Sequence, residues 1–110
     1  MKRVLFICGK GRARSPTAAQ IFSGHKGCST DFGGISRDAD DTLSADQIEW
    51  ADMIFVMEQR HRTRLGDAFG RLLDGKQIID LGVRDRYSFM QPALIAELET
   101  KVTPHLRGLA

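Results

Sequence analysis

Four consecutive apolar residues, Val4-Leu-Phe-Ile7, run directly into Cys8-Gly-Lys-Gly-Arg-Ala-Arg14-Ser15-Pro16. A short apolar run with no polar alternation predicts a parallel strand covered on both faces. Ser15-Pro16 predicts the start of a helix, with serine at the N-cap and proline in the first turn. The residues between must therefore turn sharply at the end of a buried strand. Gly9 and Gly11 let the backbone curl there without a Cβ penalty. Successive N–H groups in such a loop can converge on an anion. The following helix adds its unpaired N–H groups and the positive end of its dipole.

The rest of the chain repeats the same alternation. Ala18, Ile21 and Phe22 form the buried face of the first helix, and Gly24 is placed to end it. Cys28–Phe32 predicts a second strand, closed by Gly33-Gly34, and Ile35–Thr42 reads as a polar loop. Ser44-Ala-Asp-Gln47 matches a capping box and predicts a short helix to about Ala51. Met53–Met57 is the second strongly apolar strand. A basic helix begins at Glu58, with Leu65, Phe69, Leu72 and Leu73 on one face and Gly75 as its stop. Gln77–Leu81 predicts the last strand and Gly82–Met90 a loop. Pro92 starts a final helix with Leu94, Ile95, Leu98, Val102 and Leu106 as its stripe, which Pro104 should end or kink. Strand and helix alternate four times, so we expect an α/β fold: a parallel sheet with helices on both faces. With the first strand central, the loop Cys8–Arg14 lies at the switch point, where open α/β sheets bind ligands.

With 110 residues, the expectation is one domain, 1–110, able to bury a core without disulfides. Net charge is +2, which does not suggest nucleic-acid binding. No apolar run approaches membrane-spanning length, and the run after Lys2-Arg3 is too short for a signal peptide. Two cysteines, Cys8 and Cys28, make no disulfide framework and suit a reducing cytoplasm.

Cys8 is the candidate nucleophile, in a field that favours the reactive thiolate. Arg14 offers a planar fork of donors that matches two phosphate oxygens. Ser15 can donate to the thiolate or cap the helix. Lys10 and Arg12 either enlarge the positive field or face solvent. The Gly-Lys-Gly run lacks the spacing of a nucleotide-binding loop. Phosphoryl transfer to cysteine also needs an acid, then a base, from another loop on the same sheet edge. Asp80 and Asp85 are the candidates there, Asp80 lying within the strand run and Asp85 further out. His25, His61 and His105 have no metal-ligand spacing and read as solvated. Arg60, Arg62 and Arg64 read as a solvated helix face, and Trp50 as packing.

The stretch VLFICGKGRARSPTA resembles the strand, Cys-x5-Arg-Ser-Pro loop and first helix of the low-molecular-weight protein tyrosine phosphatases. Ala51-Asp52-Met-Ile-Phe-Val-Met57 resembles the segment before that family's central helix, and Asp85-Arg86-Tyr87 its Asp-Pro-aromatic acid motif. The resemblance implies a three-layer fold with a four-stranded parallel sheet in order 2-1-3-4. It implies that Cys8 becomes a phosphocysteine while Arg14 and the amides of Gly9, Lys10, Gly11, Arg12 and Ala13 hold the phosphate oxygens. Ser15 would stabilise the thiolate, Asp85 would serve as acid and then base, and Tyr87 would wall the cleft. The substrate would be a phosphotyrosine protein or a small aryl phosphate, with no metal or organic cofactor, no nucleic acid and no membrane partner. Gly11 stands where the family usually has a bracing asparagine, Ala13 where many members have a second cysteine, and Arg86 where the motif has proline. The chain is shorter than typical members between Asp31 and Ser44 and near the acid loop. Two rivals remain at this point: a non-catalytic oxyanion-binding or regulatory module, and an arsenate reductase of the same fold, which would need a resolving thiol such as Cys28.

Overall fold

The computed structural model describes residues 1–107. Strands and helices alternate as β1 (Lys2–Cys8), α1 (Arg14–Phe22), β2 (Cys28–Gly34), α2 (Ala45–Trp50), β3 (Met53–Val56), α3 (Gln59–Phe69), β4 (Gln77–Asp80) and α4 (Pro92–Leu106). All strand pairs are parallel and the order is β2-β1-β3-β4. This is the order that the resemblance implies.

The period-2 geometry of β1 divides its apolar run between two cores. Val4, Phe6 and Cys8 face one side, with Ala18 and Phe22 of α1 and Leu94, Leu98 and Val102 of α4. Phe6 lies between Phe22 and Phe55, its ring centroid 6.0 Å from the first and 5.2 Å from the second. Leu5 and Ile7 face the other side, with Ile48 of α2 and Leu65 of α3; Trp50 packs against this cluster. Each fully buried Val, Leu, Ile or Phe among these contributes about 1.5–3 kcal/mol by leaving water. A strand buried on both faces needs apolar residues at every position, which is why β1 shows no alternation.

Three boundaries differ from the sequence reading. Helix α1 begins at Arg14 with Ala13 at its N-cap, so Ser15 sits inside the first turn and does not cap it. Helix α3 stops at Phe69 because Gly70 turns to φ 46°, and a 3-10 turn at Gly70–Leu73 precedes the second turn at Gly75. Pro104 lies within the last turn of α4, which runs on to Leu106. The capping box of α2 forms as the sequence predicts: Gln47 N–H donates to Ser44 Oγ at 3.2 Å, and Ser44 N–H to Gln47 Oε1 at 3.0 Å.

Helix α1 leaves β1 toward one face, whereas α2 and α3 lie on the other. The chain thus diverges over the carboxyl ends of β1 and β3 and leaves a crevice between them. The loops after β1, β3 and β4 meet at that edge. No helix among the described residues is long and apolar enough to cross a membrane.

Candidate functional site

A cavity of about 360 Å³ opens at this edge, lined by Cys8, Lys10, Arg12, Ala13, Arg14, Asp85 and Tyr87. Seven of the ten site residues expected from sequence therefore line one space. The other three stand behind it. Ser15 Oγ is 3.0 Å from Cys8 Sγ, and the Gly11 N–H donates to the same sulfur at 3.3 Å. Both are groups that a thiolate accepts from. Gly9 lies on the far side of the loop, facing His61 and Ser36. Among the described residues, the backbone N–H groups of Lys10, Arg12 and Ala13 have no hydrogen-bond partner, leaving donors free for an anion.

Gly11 has φ 71°. Asparagine is one of the few other residues that enters this left-handed region routinely. Glycine keeps the backbone conformation here without strain, although it supplies no side chain to brace the loop. The bracing comes from the segment after β2. Ile35 N–H donates to Cys8 O at 2.9 Å, Ser36 N–H to Gly9 O at 2.9 Å, and Asp40 N–H to Lys10 O at 3.0 Å. Asp38 pairs with Lys10, and Asp40 with Arg12 at 2.8 Å. Lys10 and Arg12 are thus matched by acids and are not free cations. This contact needs glycine at position 34, where a Cβ would lie 2.5 Å from Ala39 Cβ and 2.8 Å from Gly9 O.

Arg14 is only 2% exposed, so its charge needs partners. Its Nη1 donates to Glu58 Oε1 at 2.5 Å and to the Val83 carbonyl at 2.8 Å. Its Nη2 is 3.8 Å from Asp85 Oδ2. The loops after β3 and β4 thereby set the plane of the guanidinium. Burial pushes the Glu58 carboxyl up, but bonds from Arg14 and Arg60 outweigh this and hold it below the usual carboxylate range. Asp85, 60% exposed, sits at the rim. Asp80 accepts the Gly82 N–H at 2.9 Å and turns the chain, which leaves Asp85 as the acid candidate at the cavity.

His61 corrects the sequence reading. It is 2% exposed, not solvated, and lies beneath the loop. Its Nδ1 accepts the Glu58 N–H at 3.2 Å, while Nε2 has no partner among the described residues. Burial, then the nearby Arg14 and Arg60, pushes its pKa down from 6.5 to about 4. The unfolded chain therefore binds a proton that the folded chain refuses. Stability should fall as pH drops from about 6.5 to about 4, by on the order of 3 kcal/mol. His61→Asn, whose carbonyl can still accept from Glu58, should flatten that part of the curve. Urea denaturation of both proteins at pH 7, 5.5 and 4.5 checks this, and parallel curves would refute it.

Sequence reasoning missed Glu58, His61 and the 34–42 brace. Glu58 alone had a usable signal, its place just past the carboxyl end of a buried strand.

No family model and no curated protein matches the sequence. Solved structures do. YwlE arginine phosphatase from Geobacillus stearothermophilus aligns over 94% of this chain and 87% of its own, with TM-score 0.72 and 18% identity. SP-PTP, a low-molecular-weight protein tyrosine phosphatase from Streptococcus pyogenes, aligns over 100% and 94%, with TM-score 0.74 and 12% identity. The fold is that of the low-molecular-weight protein tyrosine phosphatases. The same phosphatase fold is found in a thioredoxin-dependent arsenate reductase from Corynebacterium glutamicum, matched over 99% of this chain and 62% of that one, with TM-score 0.67 and 18% identity.

The arsenate reductase reading depends on a second thiol, and the phosphatase-fold register places it. Cys28 pairs with Lys2 at the opposite end of the sheet, whereas Cys8 pairs with Gly34. Six residues of strand, about 20 Å, separate the two positions. Such thiols cannot bridge, and burial pushes the Cys28 thiol up, away from the reactive form.

Proposed function

We propose that this protein is a cysteine-dependent phosphomonoesterase acting on aryl phosphates such as phosphotyrosine. The observation that carries the reading is the cavity itself. It brings a buried thiol, a buried guanidinium fixed by two acceptors and an exposed carboxyl to one space. Tyr87, the aromatic wall, supports an aryl leaving group; it is the feature that favours tyrosine over the arginine named for the YwlE structure. The unbridged thiols of Cys8 and Cys28 fit a reducing cytoplasm.

In this mechanism the Cys8 thiolate attacks phosphorus as the bond from phosphorus to the aryl oxygen breaks. Asp85 passes its proton to the departing oxygen. The free loop N–H groups and Arg14 hold the three equatorial oxygens as charge spreads over them. Water then attacks the phosphocysteine, Asp85 takes the water proton, and phosphate leaves with the thiolate restored. No step requires charge beyond what the loop and Arg14 supply.

Rapid mixing with p-nitrophenyl phosphate should give a burst of p-nitrophenol, with one phosphoryl group trapped on Cys8 by acid quench. Asp85→Asn should slow turnover by about 10²–10³-fold. No hydrolysis from mildly acidic to neutral pH, together with measurable phosphate binding, would replace this reading with an oxyanion-binding module.

A further inference from the structure

Asp85 rides on a short span whose two ends are tied to different parts of the fold. At the near end Val83 is fully buried. Its N–H donates to Met57 O at 2.7 Å, and its carbonyl accepts from Arg14 at 2.8 Å. At the far end Tyr87 rests against the α1–α4 core, and its hydroxyl donates to Glu97 Oε1 at 2.5 Å. Glu97 belongs to α4 and its side chain is 19% exposed. Lys101, one turn further on, donates to Glu97 Oε2 at 2.7 Å and to the Gly82 carbonyl at 2.9 Å. The Glu97–Lys101 pair therefore grips the span at both Gly82 and Tyr87. Arg86 closes the set, with its guanidinium 5.3 Å from the Tyr87 ring centroid and Nη2 3.9 Å from Glu97 Oε1.

We propose that Glu97 is a positioning residue for Asp85, holding the acid loop over the cavity through Tyr87 and Lys101. This rests on the reading of Asp85 as proton donor. Proline stiffens a loop by fixing φ; Arg86, in the position of the motif's proline, lacks that constraint. Contacts made by side chains must then supply the order, and the geometry points to α4 as their source. Burial pushes the Glu97 carboxyl up, but bonds from Lys101 and Tyr87 outweigh it and keep it below the usual carboxylate range. The ionised carboxylate can accept from both at once.

A proton donor matters most when the leaving group is a poor one. Displacement by about 1 Å costs on the order of 10²-fold, and only where the proton is needed. Two esters separate this from general support of the fold. Glu97→Gln should lower kcat/KM on phenyl phosphate about 10–100-fold. On 2,4-dinitrophenyl phosphate, whose leaving group departs without help, the loss should stay within about threefold of wild type, since the acid adds little there. The parameter kcat/KM reports formation of phosphocysteine, the step in which Asp85 acts as acid. Lys101→Met, outside the cavity, should show the same selectivity on a smaller scale and serves if Glu97→Gln does not fold. Wild-type protein that hydrolyses neither ester overturns the phosphatase reading and this proposal with it. Wild-type activity with equal losses on both esters, or with none, overturns the Glu97 role alone.

Discussion

Cys8→Ser should fold, bind inorganic phosphate and turn over essentially no p-nitrophenyl phosphate. Cys8 is 2% exposed at the end of β1, packed into the core shared by α1 and α4. Serine is slightly smaller and keeps a polar atom near Ser15 Oγ and the Gly11 N–H, which now contact the sulfur at 3.0 and 3.3 Å. The anion cradle should therefore survive, because its donors belong to the backbone and to Arg14. The nucleophile does not survive, since a serine hydroxyl without an adjacent base is a weak one. His61 Nδ1 already accepts the Glu58 N–H and cannot act as that base. The expected loss is about 10⁴–10⁶-fold, the scale on which removal of a nucleophile is felt. Initial rates with p-nitrophenyl phosphate, beside phosphate binding by calorimetry, measure both halves. Activity within tenfold of wild type would remove Cys8 from the mechanism.

Arg14→Lys should be nearly as damaging to catalysis and should also reduce stability. The guanidinium uses one nitrogen to satisfy Glu58 and the Val83 carbonyl, while the other faces Asp85. An ammonium is a single compact charge that cannot span those partners and also fork onto a phosphate. If lysine reaches Glu58, it abandons the cavity; if it reaches the cavity, the buried Val83 carbonyl loses its donor and Glu58 keeps only Arg60. The loss in kcat/KM should be about 10³-fold, at the lower end of what removal of a transition-state arginine costs. Stability should fall by roughly 1–3 kcal/mol, the cost of a buried acceptor left short of a donor. Steady-state kinetics and urea denaturation of the same preparation test the two figures together. A variant with kcat/KM within tenfold of wild type would show that Arg14 is structural only.

The two proteins also separate binding from chemistry. Cys8→Ser removes the attacking atom and spares the cradle, whereas Arg14→Lys weakens the cradle and spares the attacking atom. Tight phosphate binding by the first and weak binding by the second is the pattern that a phosphoryl-transfer site requires.

Much of this was legible along the chain because the relevant physics is local. The apolar run Val4–Ile7 demands burial on both faces. The glycines at 9 and 11 permit a curled loop, and Ser15-Pro16 marks the start of a helix to within a residue or two. Cys8 and Arg14 are six positions apart, so loop geometry alone brings them to one cavity. Asp85 required a longer step: alternation of strands and helices left Asp80 and Asp85 both open at the sheet edge, and the resemblance of Asp85-Arg86-Tyr87 to the acid motif chose between them.

The remainder depends on partners far apart in sequence. Arg14 meets Glu58 across 44 residues and Val83 across 69. The loop is braced from Ile35, Ser36 and Asp40, in a segment whose composition shows only polarity. His61 sits among charged neighbours in the sequence, Arg60 and Arg62, and is nevertheless buried. No periodicity records that α3 turns this one histidine under the Cys8–Arg14 loop. Glu97 and Lys101 stand one turn apart on α4, and only the fold carries the Asp85 loop across them. By itself, then, the sequence determined the strand, the loop and the thiol–guanidinium pair, because burial, backbone freedom and short-range spacing act within a few residues. Only the tertiary structure decided what orients the guanidinium and what packs around the Asp85 loop, because those forces act between side chains brought together by the sheet.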